Sequence, residues 1–291
     1  MSKKAILVVS FGTAYLDALQ KSIGSTEESF KVAFPEYEVR RAFTSPAVIE
    51  KLAEKCDVQV DGVGEALEKL AAEGFEEVYI QPFYLVEDKT LNHIKDYVTT
   101  LAHSKEKKFK KIKMSRPLLL SMGIKDHPDD YSILIEAMKT QMPELGSDKA
   151  VVLMCNGSHQ MEYSVLQLKL ADAGIKNAFV YTAEGYPSLE RVIRQLEENQ
   201  VKEVVLAPFL LVASEHVLAY ISSDKADSAK SKLEAKGYTV SVHTSGLGEN
   251  HAVQAIYVQH LKDALRAMEM HHGHHRKLGN GEQKSAHHCH K

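Results

Sequence analysis

A histidine and a glutamate stand just past apolar runs, where a bound ligand would meet them. His216 closes the stretch VKEVVLAPFLLVASEH at 201–216, and Glu184 follows the run Ala178–Thr182. An imidazole and a carboxylate brought together hold a divalent cation or exchange a proton. His216 is therefore a candidate metal ligand, with a polar loop residue or helix cap as the plainer alternative. Glu184 is its candidate partner, or a solvated loop carboxylate. A further loop, Asn156-Gly157-Ser158-His159, also follows an apolar run. Its glycine either lets the backbone approach a ligand or completes an Asn-Gly turn. Ser10-Phe11-Gly12-Thr13 is open to the same two readings, and neither loop has the glycine spacing of a nucleotide-binding motif. Cys155 reads as a small buried hydrophobe. His93, His103, His243, His251 and His260 carry no signal above that of structural histidines.

The elements that must position these loops come in two copies. EEVYIQPFYLV at 76–86 is repeated as KEVVLAPFLLV at 202–212, with Glu77/Glu203, Val78/Val204, Pro82/Pro208, Phe83/Phe209, Leu85/Leu211 and Val86/Val212 identical. Thr90 stands where the second copy has His216, so the copies differ where chemistry would sit. Around this pair, short β-rich runs alternate with amphipathic helical stretches. Lys4–Ser10, Tyr37–Phe43, Val78–Pro82 and Ile112–Leu119 read as strands of the first copy. Lys149–Met154, Ala178–Thr182, Glu203–Leu206 and Thr239–His243 read as strands of the second. Such alternation predicts an α/β fold. The expectation is two similar Rossmann-like lobes, each a parallel sheet flanked by helices, with a ligand cleft between them outside the carboxyl ends of the strands. The lobes are expected at 1–146 and 147–270, the second carrying the metal site. His216 is expected in a loop, with Glu184 on a neighbouring strand and facing it across the cleft.

Residues 271–291 differ in kind. His271, His272, His274, His275, His287, His288, Cys289 and His290 crowd a segment without apolar periodicity, expected to be disordered. Clustered imidazoles with a thiol bind borderline cations, so the tail is either a native metal-handling segment or an expression tag.

The bulk properties narrow the class. A net charge of -3 offers nothing to nucleic acid or to an anionic membrane surface. No apolar run approaches the roughly 20 residues that span a bilayer. The N-terminal apolar run is shorter than a secretion signal requires and lacks a cleavage site. Three scattered cysteines make no disulfide framework. A cytoplasmic protein is expected.

In their order along the chain, several motifs carry a resemblance. They are Val8-Val9-Ser10-Phe11-Gly12-Thr13, Arg41-Ala42-Phe43-Thr44-Ser45, Pro117-Leu118-Leu119, Glu184-Gly185-Tyr186-Pro187, Leu211-Val212-Ala213 leading to His216, and Ser245-Gly246-Leu247-Gly248-Glu249-Asn250. Together they resemble the anaerobic sirohydrochlorin cobaltochelatases, the long CbiK-type members of the class II chelatases. The resemblance implies an enzyme that inserts Co²⁺ into sirohydrochlorin or a precorrin-2-like tetrapyrrole. The metal would be a substrate, with Ni²⁺ or Fe²⁺ as alternatives, and no organic cofactor is implied. It further implies two histidines and a glutamate at the metal site, mapping onto His216, Glu184 and the position held here by Asn156. That asparagine departs from the family pattern, because an amide is a weaker ligand than imidazole and accepts no proton. His159 is the candidate substitute. Backbone N–H groups at Phe11-Gly12-Thr13, Gly157 and Thr44-Ser45 would receive the substrate's carboxylates, with Arg40, Arg41 or Arg116 as cationic partners. A ferrochelatase- or nickel-chelatase-like relative and a carrier without turnover are the competing readings; a homo-oligomer is compatible with each.

Overall fold

A computed structural model describes residues 2–125, 127–157 and 161–278; for His216, Tyr220 and residues 267–278 the description is of the backbone alone. In the first lobe, β1 (Lys3–Ser10), β2 (Glu38–Phe43), β3 (Asp61–Gly62), β4 (Phe75–Pro82) and β5 (Lys111–Met114) form a parallel sheet in the order β3-β2-β1-β4-β5. In the second, β6 (Lys149–Cys155), β7 (Ala178–Thr182), β8 (Glu203–Pro208) and β9 (Thr239–Val242) run parallel in the order β7-β6-β8-β9. Leaving out the two-residue edge strand β3, the two orders are the same. The fold is two α/β lobes built on one plan.

The duplication holds at the level of single hydrogen bonds. Lys4 is in register with Glu77, and Lys149 with Glu203. Past the strand ends, Phe83 N–H donates to Val9 O at 2.7 Å and Phe209 N–H to Met154 O at 2.8 Å. Thr44 N–H to Ser10 O matches Ala183 N–H to Cys155 O. The alternating side chains of β1 and β6 divide between faces, as a doubly covered sheet requires. Ala5, Leu7 and Val9 pack with α4 (Val63–Ala72), which follows α3 (Pro46–Cys56) and β3, and with α5 (Lys89–His103), which follows β4. Ala150, Val152 and Met154 pack with α8 (Leu189–Glu198) and α10 (Ala229–Glu234). The opposite faces, Ile6 and Val8 with Val151, Leu153 and Cys155, belong to one core that runs through both lobes.

That shared core comes from helices that cross over. The first helical segment is α1 (Leu16–Ala18), a π-helical turn (Leu19–Gly24) and α2 (Ser25–Ala33), where the sequence predicts one helix over Tyr15–Phe34. α6 (Asp130–Met138) ends the first repeat and meets α7 (Glu162–Asp172) of the second. α11 (His251–Leu278) ends the second and packs on α2, α6 and β4. The expected boundary at 146/147 falls between α6 and β6, while α11, numbered with the second lobe, buries Val253, Tyr257 and Leu261 in the core shared with the first.

Three expectations change. His216 lies in the first turn of α9 (Glu215–Ser222), not in the expected loop. The strand expected to reach Leu119 stops at Met114, since 118–119 instead bond to the segment after β4. α11 continues ten residues past the expected end at Met268, so His271, His272, His274 and His275 sit on helical backbone where disorder was expected. His287, His288, Cys289 and His290 lie outside the described residues. No described helix is long and apolar enough to cross a membrane.

Candidate functional site

Both lobes send the loops after their central strands to one cavity of ≈ 630 Å³. The first lobe contributes Ser10, Phe11, Gly12 and Thr13 after β1, Phe83 to Val86 after β4, and Val48 with Lys51 from α3. The second contributes Asn156 and Gly157 after β6, Leu210 to Val212 after β8, Tyr163 from α7, and Ser214 with Val217 at the start of α9. The carboxyl ends of β1, β4, β6 and β8 meet there, as expected of open α/β sheets.

Local structure explains why these loops hold their shape. Gly12 has φ +91°, and a Cβ there would lie 2.5–2.9 Å from the Phe43 ring, so only glycine fits. Gly157 has φ +106°, and its N–H donates to Asn156 Oδ1 at 3.0 Å. The Asn156 oxygen is thus already engaged by its own loop while Asn156 lines the cavity. Behind the walls, Leu118 and Leu119 N–H donate to Tyr84 O and Leu85 O at 2.9 and 2.7 Å. Leu247 and Gly248 N–H donate to Leu210 O and Leu211 O at 2.7 and 2.9 Å. The motifs Pro117-Leu118-Leu119 and Gly246-Leu247-Gly248 are therefore equivalent supports, one per lobe, and neither lines the cavity.

The predicted residues are distributed unevenly. Ser10, Phe11, Gly12, Thr13, Asn156 and Gly157 line the cavity. Ser10 Oγ is buried without a hydrogen-bond partner, a hydroxyl free to act as donor or acceptor. Thr44 and Ser45 do not line it: Thr44 N–H is committed to Ser10 O, its hydroxyl pairs with Tyr84 OH at 2.6 Å, and Ser45 caps α3 through Val48 N–H. The three arginines are also elsewhere. Arg40 binds Glu38 and Glu73, Arg41 binds Glu27 with two hydrogen bonds, and Arg116 pairs with Asp263 at 3.0 Å. His216 has its backbone between Ser214 and Val217, at the cavity's edge. Glu184 is exposed in the loop after β7 and is not part of the lining. β6 lies between β7 and β8, so Glu184 is neither on a neighbouring strand nor across the interlobe cleft from His216: the two flank the Asn156 loop on one lobe. Ser158 and His159 fall outside the described residues. Among the described residues, no three His, Cys, Asp or Glu side chains gather as a metal centre.

Sequence reasoning missed Lys51, Tyr84, Asp88 and Tyr163, all in the lining. Tyr84 had a signal, since it replaces Leu210 inside the stretch 82–86, which otherwise matches 208–212. Burial pushes its phenol up to about 12, against a smaller opposing effect of the Thr44 hydrogen bond. Burial likewise raises Tyr163, which packs edge-on to Phe209 at 6.2 Å. Both phenols are neutral at ordinary pH. Asp88 Oδ1 accepts Leu91 N–H at 2.8 Å and caps α5.

A model of the cobalt chelatase family CbiK matches residues 4–266. The chain belongs to that family. A sirohydrochlorin cobaltochelatase of Salmonella typhimurium is 34% identical over 269 residues, covering 90% of this chain and 97% of the relative. A second sirohydrochlorin cobaltochelatase, from Nitratidesulfovibrio vulgaris, is 26% identical, covering 92% and 93%. Among solved structures, a multi-domain protein of Deinococcus radiodurans with structural similarity to chelatases superposes with TM-score 0.57 at 13% identity. The match covers 89% of this chain and 55% of that one, and it supports the fold alone. In this CbiK chain the cavity lies at the junction of its two lobes.

Proposed function

We propose that this chain inserts Co²⁺ into sirohydrochlorin, with the macrocycle in the interlobe cavity and the metal arriving from the second lobe. The observation that carries the reading is the convergence of the β1, β4 and β6 loops with the start of α9 on one cavity. Insertion exchanges two pyrrole N–H protons for one M²⁺, so the site needs a ligand set open on one side and an acceptor for protons. His216, at the start of α9, is proposed to hold the incoming ion. Glu184 is proposed to ligate it or to take a proton, and its loop must move or reach over the Asn156 loop to do so. Asn156 replaces an imidazole with a neutral amide, leaving His159 as the candidate third ligand. Backbone N–H groups of the Phe11-Gly12-Thr13 loop are proposed to receive carboxylates of the substrate. The histidine tail is proposed to raise the local Co²⁺ concentration.

The test is anaerobic metal insertion followed by absorbance, with wild type, His216→Ala, Glu184→Gln, His159→Ala and Asn156→His. Loss of turnover by about 10²-fold or more in His216→Ala, of the size seen when a group that binds the reacting centre is removed, supports the reading. A rate for Ni²⁺ or Fe²⁺ above that for Co²⁺ would favour the second reading, a redirected chelatase, which the Asn156 amide motivates. Binding of sirohydrochlorin without insertion of any metal would leave a carrier.

A further inference from the structure

The cavity's two walls are chemically unlike, and the difference assigns them different tasks. Phe11 is 61% exposed although it lines the cavity. Its loop is tied to the lobe: Gly12 packs closely on Phe43, and Thr44 N–H donates to Ser10 O at 2.9 Å. Phe11 thus presents an apolar ring at the cavity, a face on which a planar macrocycle can stack. Lys51 projects from α3 one turn after Val48, and both line the cavity. Its Nζ lies 5.5 Å from the centroid of Tyr15, another lining residue. Lys51 makes no ion pair among the described residues, and it is the cavity's one cationic lining side chain among them. Asp88, the lining carboxylate, is occupied in capping α5.

We propose that the first lobe reads the substrate, with Phe11 stacking on the macrocycle face and Lys51 pairing with one of its peripheral carboxylates. The inference rests on the tetrapyrrole reading above and adds to it the residues that recognise the ring and its charge. Lysine offers a point charge on a flexible stem, suited to a carboxylate whose position varies with the ring's tilt. The partition leaves metal handling to the second lobe, so binding of the two substrates is separable by mutation.

The experiment measures Kd for metal-free sirohydrochlorin by absorbance titration, and KM and kcat for insertion, in Phe11→Ala, Phe11→Tyr, Lys51→Glu and Lys51→Arg. Expected are roughly tenfold rises in Kd and KM for Phe11→Ala and Lys51→Glu, with kcat at saturation changed far less and thermal midpoints unchanged. Phe11→Tyr and Lys51→Arg should restore affinity, and Lys51→Glu should flatten the salt dependence of Kd. Affinity for Co²⁺ alone should be that of wild type. Kd values within twofold of wild type in both Phe11→Ala and Lys51→Glu would overturn the inference while leaving the chelatase reading intact. A wild type that neither binds nor metallates sirohydrochlorin would overturn both.

Discussion

Gly12 and Tyr84 show how single residues shape the cavity. Gly12→Ala places a methyl group into the Phe43 ring at a backbone angle that L side chains rarely adopt. It should cost about 2 kcal/mol, read as a lowered urea midpoint, and should reduce insertion because the Phe11 loop shifts with it. Tyr84→Phe removes the 2.6 Å bond to Thr44 and should cost about 1 kcal/mol. The same tyrosine predicts an alkaline limit. Its folded pKa, about 12, lies above the ordinary 10.0. The folded state therefore keeps the proton longer, and this contribution is full below pH 10 and lost as pH rises to 12. Unfolding curves between pH 9 and pH 12 should show wild type losing more stability than Tyr84→Phe. Equal losses would mean another group controls that range.

At the scale of elements, α6 and α11 meet over a buried polar cluster that the sequence left among its unremarkable histidines. Asp130 is fully buried, accepts Ser121 N–H at 2.8 Å, and has His260 Nε2 at 3.4 Å and Arg116 at 3.6 Å. Burial alone would raise this carboxyl, but the His260 imidazole, the Ser121 N–H and the Arg116 guanidinium outweigh it and hold it below the ordinary range. A depressed carboxyl stabilises the fold above its unfolded pKa, and the contribution is lost as pH falls below about 4. Asp130→Asn should cost about 3 kcal/mol at neutral pH, since it removes the buried carboxylate that faces the Arg116 guanidinium and accepts Ser121 N–H. Its stability should also fall less steeply on acidification than that of wild type. A midpoint unchanged at neutral pH would show that the cluster contributes nothing to the α6–α11 joint.

For the whole molecule, the interlobe seam decides cooperativity. Ser22 Oγ, in the π-helical turn of the first lobe, donates to Leu211 O at 2.7 Å, and Gln254 of α11 ties Ser25 to Gly248 O. Gly248 fits because it has no side chain: a Cβ would lie 2.7 Å from both Leu211 O and Phe83 Cζ and would strike Ser22 Oγ. Because one core runs through both lobes, unfolding should be a single transition seen equally by fluorescence and circular dichroism. Gly248→Ala should lower its midpoint by several degrees, on the order of 2 kcal/mol. It should also depress insertion, since Leu211 and Phe83 both line the cavity. Two separated transitions in wild type would refute the shared core.

The sequence by itself determined the duplicated α/β plan, most strand positions, the Ser45-Pro46 helix start and the family, because each is written locally. Period-two burial, capping chemistry and repeated letters need no partner from elsewhere in the chain. It could not determine what the loops face. Pro117-Leu118-Leu119 and Gly246-Leu247-Gly248 look like site motifs, yet they act by hydrogen-bonding the backbone behind the cavity wall. Thr44 and the three arginines have the right chemistry and point to other partners, while Lys51, unmarked in sequence, reaches the cavity from one helical turn beyond Val48. Strand order, which places β6 between β7 and β8, separates Glu184 from the start of α9. Those assignments depend on which segments pack together across up to two hundred residues, and only tertiary structure sets that.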